Sequence, residues 1–493
     1  MDMQDEKSDQ APELSSLLDV NAMDYRLSPS LSVATSRQQR AYRSANLVHQ
    51  FGDQINCTLS TGAAYVDPLN TFIQFRVRLP ADGTTIKYSD FALPSMASWI
   101  LMFNKYAVIH SSGTEVDRVT ESAGEYASFR QWMEHDERYR ETIGSSFNFD
   151  KTPSFLRGAG AAVAANRTNL HIAADPQDKV WAPAVNSGII PLNTYVTVSI
   201  PLSCLLPCFR SKLLLPSFLA AGLRLELTTH KKERFFCGLS SAVWSTAGLI
   251  DPVISDVYIY TETFQLADSI SKKLSQISAS TGLEYAFTAV HQQPVTTNLG
   301  ELSVSISRAL SRANNVMCKI RSNDSYNSVT NDSFTSLPIL SDSVRNNATV
   351  YGAELKIQDG TLDAFSVQLG AHSIPAAPVS GLQEAYMSTM KTFGAYRRTD
   401  ASVGPTIAEW AGSVEPLPSA PATYVAKTNV GCYCLPLESS SVLAEAGAAI
   451  SAQRSAQVLI RFKTAQVVQR RIDIWVEFSK LCSVFLDQVI VRN

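Results

Sequence analysis

The residues of this chain that could do chemistry are spaced so that most chemistries lack a complete set. The seven histidines are His49, His110, His135, His171, His230, His291 and His372, and no two lie within a few residues of each other. A jelly-roll metal site takes a His-x-His, a carboxylate and a later His. No His-x-His occurs here. The eight cysteines are Cys57, Cys204, Cys208, Cys237, Cys318, Cys432, Cys434 and Cys482, with no Cys-x-x-Cys among them. A zinc site built from Cys204/Cys208, Cys432/Cys434 and a His would match no finger or ribbon spacing, so the thiols are expected to be buried and free. Glu134-His135-Asp136-Glu137 is the densest titratable run. Consecutive residues do not converge on one ion, and a solvated helix face accounts for them. Gly158-Ala159-Gly160 lacks the Lys-Ser/Thr of a phosphate loop, and no G-x-S-x-G elbow occurs. The expectation is no catalytic residue, no metal and no cofactor. One basic cluster remains, Arg37, Arg40 and Arg43 with Tyr42. It could contact a neighbouring subunit or nucleic-acid phosphates, the latter only in a weak, salt-sensitive way.

Composition narrows the class further. A formal net charge of −3 argues against a dedicated nucleic-acid binder. With 45% hydrophobic and 18% charged residues over 493 positions, the chain has material for two or three cores. No apolar run reaches 18 residues, and the start MDMQDEKSDQ has neither the basic end nor the apolar stretch of a signal peptide. The five N-x-S/T sequons, at Asn56, Asn166, Asn323, Asn331 and Asn347, therefore carry little weight.

The elements are mostly strands. Residues 71–79 (TFIQFRVRL) alternate apolar and polar, as a half-buried strand does. So do 195–200, and two pairs that close halves of similar size: 223–229 (LRLELTT) with 254–264 (ISDVYIYTETF), and 458–464 (VLIRFKT) with 471–478 (RIDIWVEF). Residues 99–103 with 106–110, 302–306, 316–320, 350–357, 365–369 and 483–491 also read as extended. Helical spacing marks 121–142, through Tyr126, Phe129, Trp132 and Met133, and 381–398, through Leu382, Tyr386, Met390 and Phe393. Trp132 and Tyr139 read as core or interface anchors. Polar stretches at 151–189, 322–347 and 399–423 read as loops.

The fold class expected is all-β, two tandem antiparallel eight-stranded jelly rolls with short helical excursions and long loops. The expected division is an N-terminal arm at 1–44, a first roll at 45–265, a linker at 266–282 and a second roll at 283–493.

Four segments, in order, resemble the double jelly-roll major capsid proteins of icosahedral viruses, of the small or metagenomic virus type. They are 65–79 (YVDPLNTFIQFRVRL), 196–227 (VTVSIPLSCLLPCFRSKLLLPSFLAAGLRLEL), 365–394 (FSVQLGAHSIPAAPVSGLQEAYMSTMKTFG) and 471–491, within RRIDIWVEFSKLCSVFLDQVIV. The resemblance covers both halves and leaves the arm unmatched. It implies a structural, non-enzymatic subunit that forms homotrimers, hence pseudo-hexagonal capsomers and a self-assembled icosahedral shell. It also implies penton and minor capsid partners, contact with an internal membrane or the genome, no small-molecule substrate, and a place in the virion after synthesis inside the host cell, without secretion. Two alternatives stay open here. One is a single-roll capsid protein with a projecting domain. The other is a tandem β-sandwich protein, cupin-like or carbohydrate-binding, which a bound metal or an aromatic-lined cleft would favour.

Overall fold

The computed structural model describes residues 34–86, 91–92, 99–135, 139, 142–147, 190, 192–211, 213–238, 241–306, 310–323, 326, 362–369, 372–380, 382–393, 404–405, 410, 414–417, 420–426, 432–437, 450–452, 456–462, 469–486 and 488–492. The loops expected at 151–189 and most of 322–347, the strand expected at 350–357, and the first 33 residues lie outside this set.

Beside the short strands Val48–Gln50, Phe91–Ala92 and Cys237–Gly238, alternating sequences form eight longer strands in the described part of the first half. These are β1 (Ala34–Arg43), β2 (Gln54–Leu59), β3 (Tyr65–Arg78), β4 (Phe103–Ile109), β5 (Glu115–Val119), β6 (Tyr195–Pro201), β7 (Leu223–Thr229) and β8 (Val253–Leu266). They pair as two antiparallel sheets, in the orders β1-β8-β3-β6 and β2-β7-β4-β5. First thus pairs with eighth, second with seventh, third with sixth and fourth with fifth, the ribbon wrap of a jelly roll.

The second half repeats the wrap. Its strands are β9 (Leu283–Thr297), β10 (Glu301–Ser305), β11 (Leu310–Ser322), β12 (Leu362–Leu369), β13 (His372–Val379), β14 (Cys432–Pro436), β15 (Ala456–Phe462) and β16 (Arg470–Val484). The sheet orders are β9-β16-β11-β14 and β10-β15-β12-β13. Adding eight to every strand number of the first roll gives the second. The second half is thus a full roll, which removes the single-roll alternative.

Each core lies between its two sheets. In the first roll Ile73, Phe75 and Val77 of β3 and Val198 and Ile200 of β6 are buried with Ile55 and Leu59 of β2 and Leu225 and Leu227 of β7. In the second, Ile472, Ile474 and Val476 of β16 are buried with Val316 and Ile320 of β11, Val367 of β12 and Val458 of β15. Each such side chain contributes roughly 1.5–3 kcal/mol of transfer free energy.

Among the described residues, three helices are longer than a turn or two: α1 (Ala123–Glu134), α2 (Asp268–Ser280) and α3 (Leu382–Thr392). In α1, Tyr126, Phe129, Trp132 and Met133 are all buried, as their spacing predicts. The helix packs on the 3-10 turn Trp99–Met102 and ends where His135 turns extended. α1 follows β5, the fifth strand of its roll, and α3 follows β13, the fifth strand of its own.

Two boundaries differ from the expectation, at β1 and at the C-terminus, while the linker expected at 266–282 holds a helix. Residues 34–43, assigned to the arm, form β1, which pairs with β8 from Ala34↔Leu266 to Arg43↔Tyr258. The polar composition that suggested an arm belongs to an edge strand, where outward charges suit an unpaired rim. The segment between the rolls is largely the 13-residue helix α2. The C-terminal run 483–491 is not one strand. β16 ends at Val484, and Val489–Arg492 folds back on it through Phe485 N donating to Gln488 O at 2.8 Å.

Candidate functional site

The residues with catalytic types are used locally. His110 holds Ser112 Oγ at 2.8 Å and Phe218 O at 2.9 Å, and His49 holds Ser44 Oγ at 3.2 Å. His230 is buried, and burial drives its pKa well below the usual histidine value. Glu134 takes Arg130 at 2.6 Å, and His135 stacks on Tyr139 at 3.7 Å, while Asp136 and Glu137 lie outside the described residues. Seven cysteines are buried free thiols, and burial pushes Cys57 and Cys482 up to about 12 and Cys204 to about 11, which leaves them inert. Among the described residues, no three His, Cys, Asp or Glu side chains gather in a way that could hold a metal. No described helix is long and apolar enough to cross a membrane.

The four residues singled out in the arm all sit on β1. Arg37 and Arg43 are on its exposed side, Arg37 ion-paired with Glu262 and Arg43 over the Tyr258 ring at 5.6 Å. Arg40 and Tyr42 are half-buried, and Arg40 donates to Thr61 O at 3.2 Å.

The densest charge cluster lies between the rolls. β16 is buried on both faces from Arg470 to Phe478, whereas its counterpart β8 alternates. The extra cover on β16 comes from α1 of the first roll. Glu125, third residue of α1, points its carboxylate at the second roll. Its Oε2 takes Arg321 Nη1 at 2.8 Å and Lys319 Nζ at 3.2 Å, both from β11. Its Oε1 takes Arg234 Nη2 of the first roll at 3.5 Å. Arg321 also pairs with Asp473 of β16, which holds Arg471 Nη2 at 3.0 Å. Arg471 Nη2 in turn lies 2.9 Å from Glu121, just before α1. Tyr326 sits among these groups. Its hydroxyl donates to Glu121 Oε1 at 2.7 Å, and the guanidinium carbons of Arg471, Arg234 and Arg321 lie 3.6, 3.8 and 4.3 Å from its ring centre.

One turn along α1 a second cluster repeats the pattern. Glu477 of β16 accepts from Tyr126 and Arg130 of α1 and from Asn315 Nδ2 at 2.7 Å. The rings of Tyr126 and Trp475 lie 6.3 Å apart, and those of Phe129 and Phe393 5.7 Å apart.

Charges this deep lose several kcal/mol of hydration each, so they are kept only where partners fill their valences. Burial alone would raise Glu125, but Arg321, Lys319 and Arg234 overcome it and bring the carboxyl down to about 2. In the sequence Lys319, Asp473 and Glu477 fall at polar positions of segments read as extended, and Arg321 lies just past one of them. The missed signal was Trp475, an aromatic on the face that Asp473 and Glu477 share.

A third buried acid works the other way. Asp117 of β5 accepts from Tyr106 OH at 3.1 Å, and burial pushes it up to about 6, with Lys480 of β16 pulling it back. The unfolded carboxyl titrates near 3.9, so the folded state binds this proton more tightly. Stability from Asp117 is therefore present below about pH 4 and lost as pH rises through about 6. Asp117→Asn should shift the stability difference in the variant's favour by about 3 kcal/mol between pH 4 and pH 8. Urea unfolding at the two pH values checks this, and a difference that does not change with pH would contradict it.

This arrangement ties the first roll to the second through buried charge. Solved structures share the whole plan. The Sputnik virophage, solved by cryo-EM, contains a chain that matches with a TM-score of 0.55 over 100% of this chain and 92% of that one, at 11% identity. The Faustovirus major capsid protein gives 0.55 over 95% of this chain and 94% of its own, at 10% identity. This chain has the double jelly-roll fold. The PBCV-1 virus capsid shows the same double jelly roll, with a TM-score of 0.53 over 95% of this chain and 98% of its own, at 10% identity. No family model and no curated protein matches the sequence.

Proposed function

We propose that this double jelly-roll chain is a structural major capsid protein, not an enzyme, and that three copies form a pseudo-hexagonal capsomer which tiles an icosahedral shell. The observation that carries this is the exact doubling of the wrap, two rolls of identical strand order in one chain, locked through buried charge. Two like lobes per chain let three chains imitate six. The fold shared with the capsid structures above supports the same reading. A threefold ring is a closed heterologous assembly in which each chain offers two different faces. Obligate interfaces of this kind bury about 2,000–5,000 Å². The partners are other copies of the chain, then penton and minor capsid proteins, with internal membrane or genome contact from the N-terminal residues. The place of action is the virion, after synthesis inside the host cell. We assign the domains as the two rolls joined by α2.

Light scattering of the purified protein at micromolar concentration tests this. The expected mass is that of a trimer. A strict monomer would overturn the capsomer reading.

A further inference from the structure

Within one chain, α1 of the first roll covers the outer face of the β9-β16-β11-β14 sheet, and Glu125 meets the two cations at the end of β11. Among the described residues, no helix covers the equivalent sheet of the first roll, β1-β8-β3-β6, in this way. Tyr258, Tyr260, Glu262 and Phe264 on the outer side of β8 are only half-buried, and Arg37, Arg43 and Arg76 are exposed. Phe72 of β3 and Tyr260 of β8 stack there at 5.0 Å. The face is thus aromatic and cationic, as the Trp475 face of the second roll is.

The matching helix is α3, which follows the fifth strand of its roll as α1 does. Gln383, Glu384, Met387 and Lys391 form its exposed side, with Met387 38% exposed. Glu384 is the third residue of α3, as Glu125 is of α1. The outward positions that end β3 are Arg76 and Arg78, two cations in the place of Lys319 and Arg321 on β11. Strand order, the place of the helix after the fifth strand and the charges at the strand end coincide.

We propose that the outer face of the first roll receives α3 from the second roll of another copy, with Glu384 set against Arg76 and Arg78. The contact that joins the rolls inside a chain then recurs between chains. Each chain gives one face and takes the other, which is the heterologous geometry that closes a ring when its rotation allows. This rests on the trimer reading above and specifies its interface.

Charge reversal and exchange test it on the full-length protein. Arg76→Glu and Glu384→Arg should each weaken trimer formation roughly a hundredfold, as loss of a buried interfacial pair does. The double variant Arg76→Glu/Glu384→Arg should recover most of it. Glu384 Oε2 also accepts from Ser380 N at 3.2 Å, so its reversal loosens the helix start as well; recovery in the double variant separates the two effects. Both side chains are exposed in one chain, and circular dichroism should show unchanged folding. A trimeric parent whose single variants stay trimeric overturns this interface but not the trimer. Two weakened single variants with no recovery overturn the pairing of the two faces. A monomeric parent overturns both proposals.

Discussion

Glu125→Gln is expected to lower stability by about 3–5 kcal/mol and to split unfolding into two transitions. The carboxylate is fully buried and is shared by Arg321, Lys319 and Arg234. Removing one member of a buried ionic cluster leaves the others uncompensated, at a cost of about 3–5 kcal/mol. The amide keeps the shape and loses the charge, so packing is not what changes. The pH dependence gives an independent readout. The folded carboxyl is held down at about 2 against an ordinary value of 4.5. Its contribution is therefore complete above about pH 4.5 and lost as pH falls toward 2. The variant should lack that acid limb. Calorimetry at pH 7 and pH 3 checks both statements. A single transition shifted by under about 1 kcal/mol would show that the rolls are held by something else.

Gly124→Ala should have an effect of opposite sign to the usual one. In an exposed helix this change stabilises by up to about 1 kcal/mol. Here a Cβ at Gly124 would lie 2.2 Å from Ile100 O, 2.7 Å from Phe103 O and 2.9 Å from Leu101 Cα. All three are backbone atoms, so no side-chain rotation relieves the clash. Overpacking of this kind costs about 1–3 kcal/mol. Displacing the start of α1 also moves Glu125 from its cations, which adds part of the loss described above. We expect a fall of about 3 kcal/mol or more in thermal or urea unfolding. A variant as stable as the parent would mean that α1 does not sit on the Trp99–Met102 turn.

The strands that close each half were legible because one of their faces is core and the other is not. LRLELTT is β7 and the VLIRF of VLIRFKT lies in β15, while ISDVYIYTETF lies in β8 and RIDIWVEF in β16. They are the seventh and eighth strands of two identical wraps, so the hint of duplication had a topological basis. The helix through Tyr126, Phe129, Trp132 and Met133 was legible for the same reason, an apolar stripe at helical spacing. β1 was not, because its apolar content is low and its stability comes from pairing with β8, more than 200 residues away. The charge cluster was not legible either. Glu125 and Arg321 are almost 200 residues apart, and each obeys its own local pattern. Their meeting depends on the docking of one roll on the other, which no window of sequence contains. The candidate residues Arg37, Arg40, Tyr42 and Arg43 were placed in an arm, whereas they lie on β1 of the first-roll sheet.

Negative-stain electron microscopy of the purified full-length protein tests the central claim most directly. Averages should show hexagon-outlined particles with threefold symmetry, six similar lobes from three chains, or shells built of them. Isolated two-lobed monomers at micromolar concentration, or rings with another number of lobes, would contradict the account.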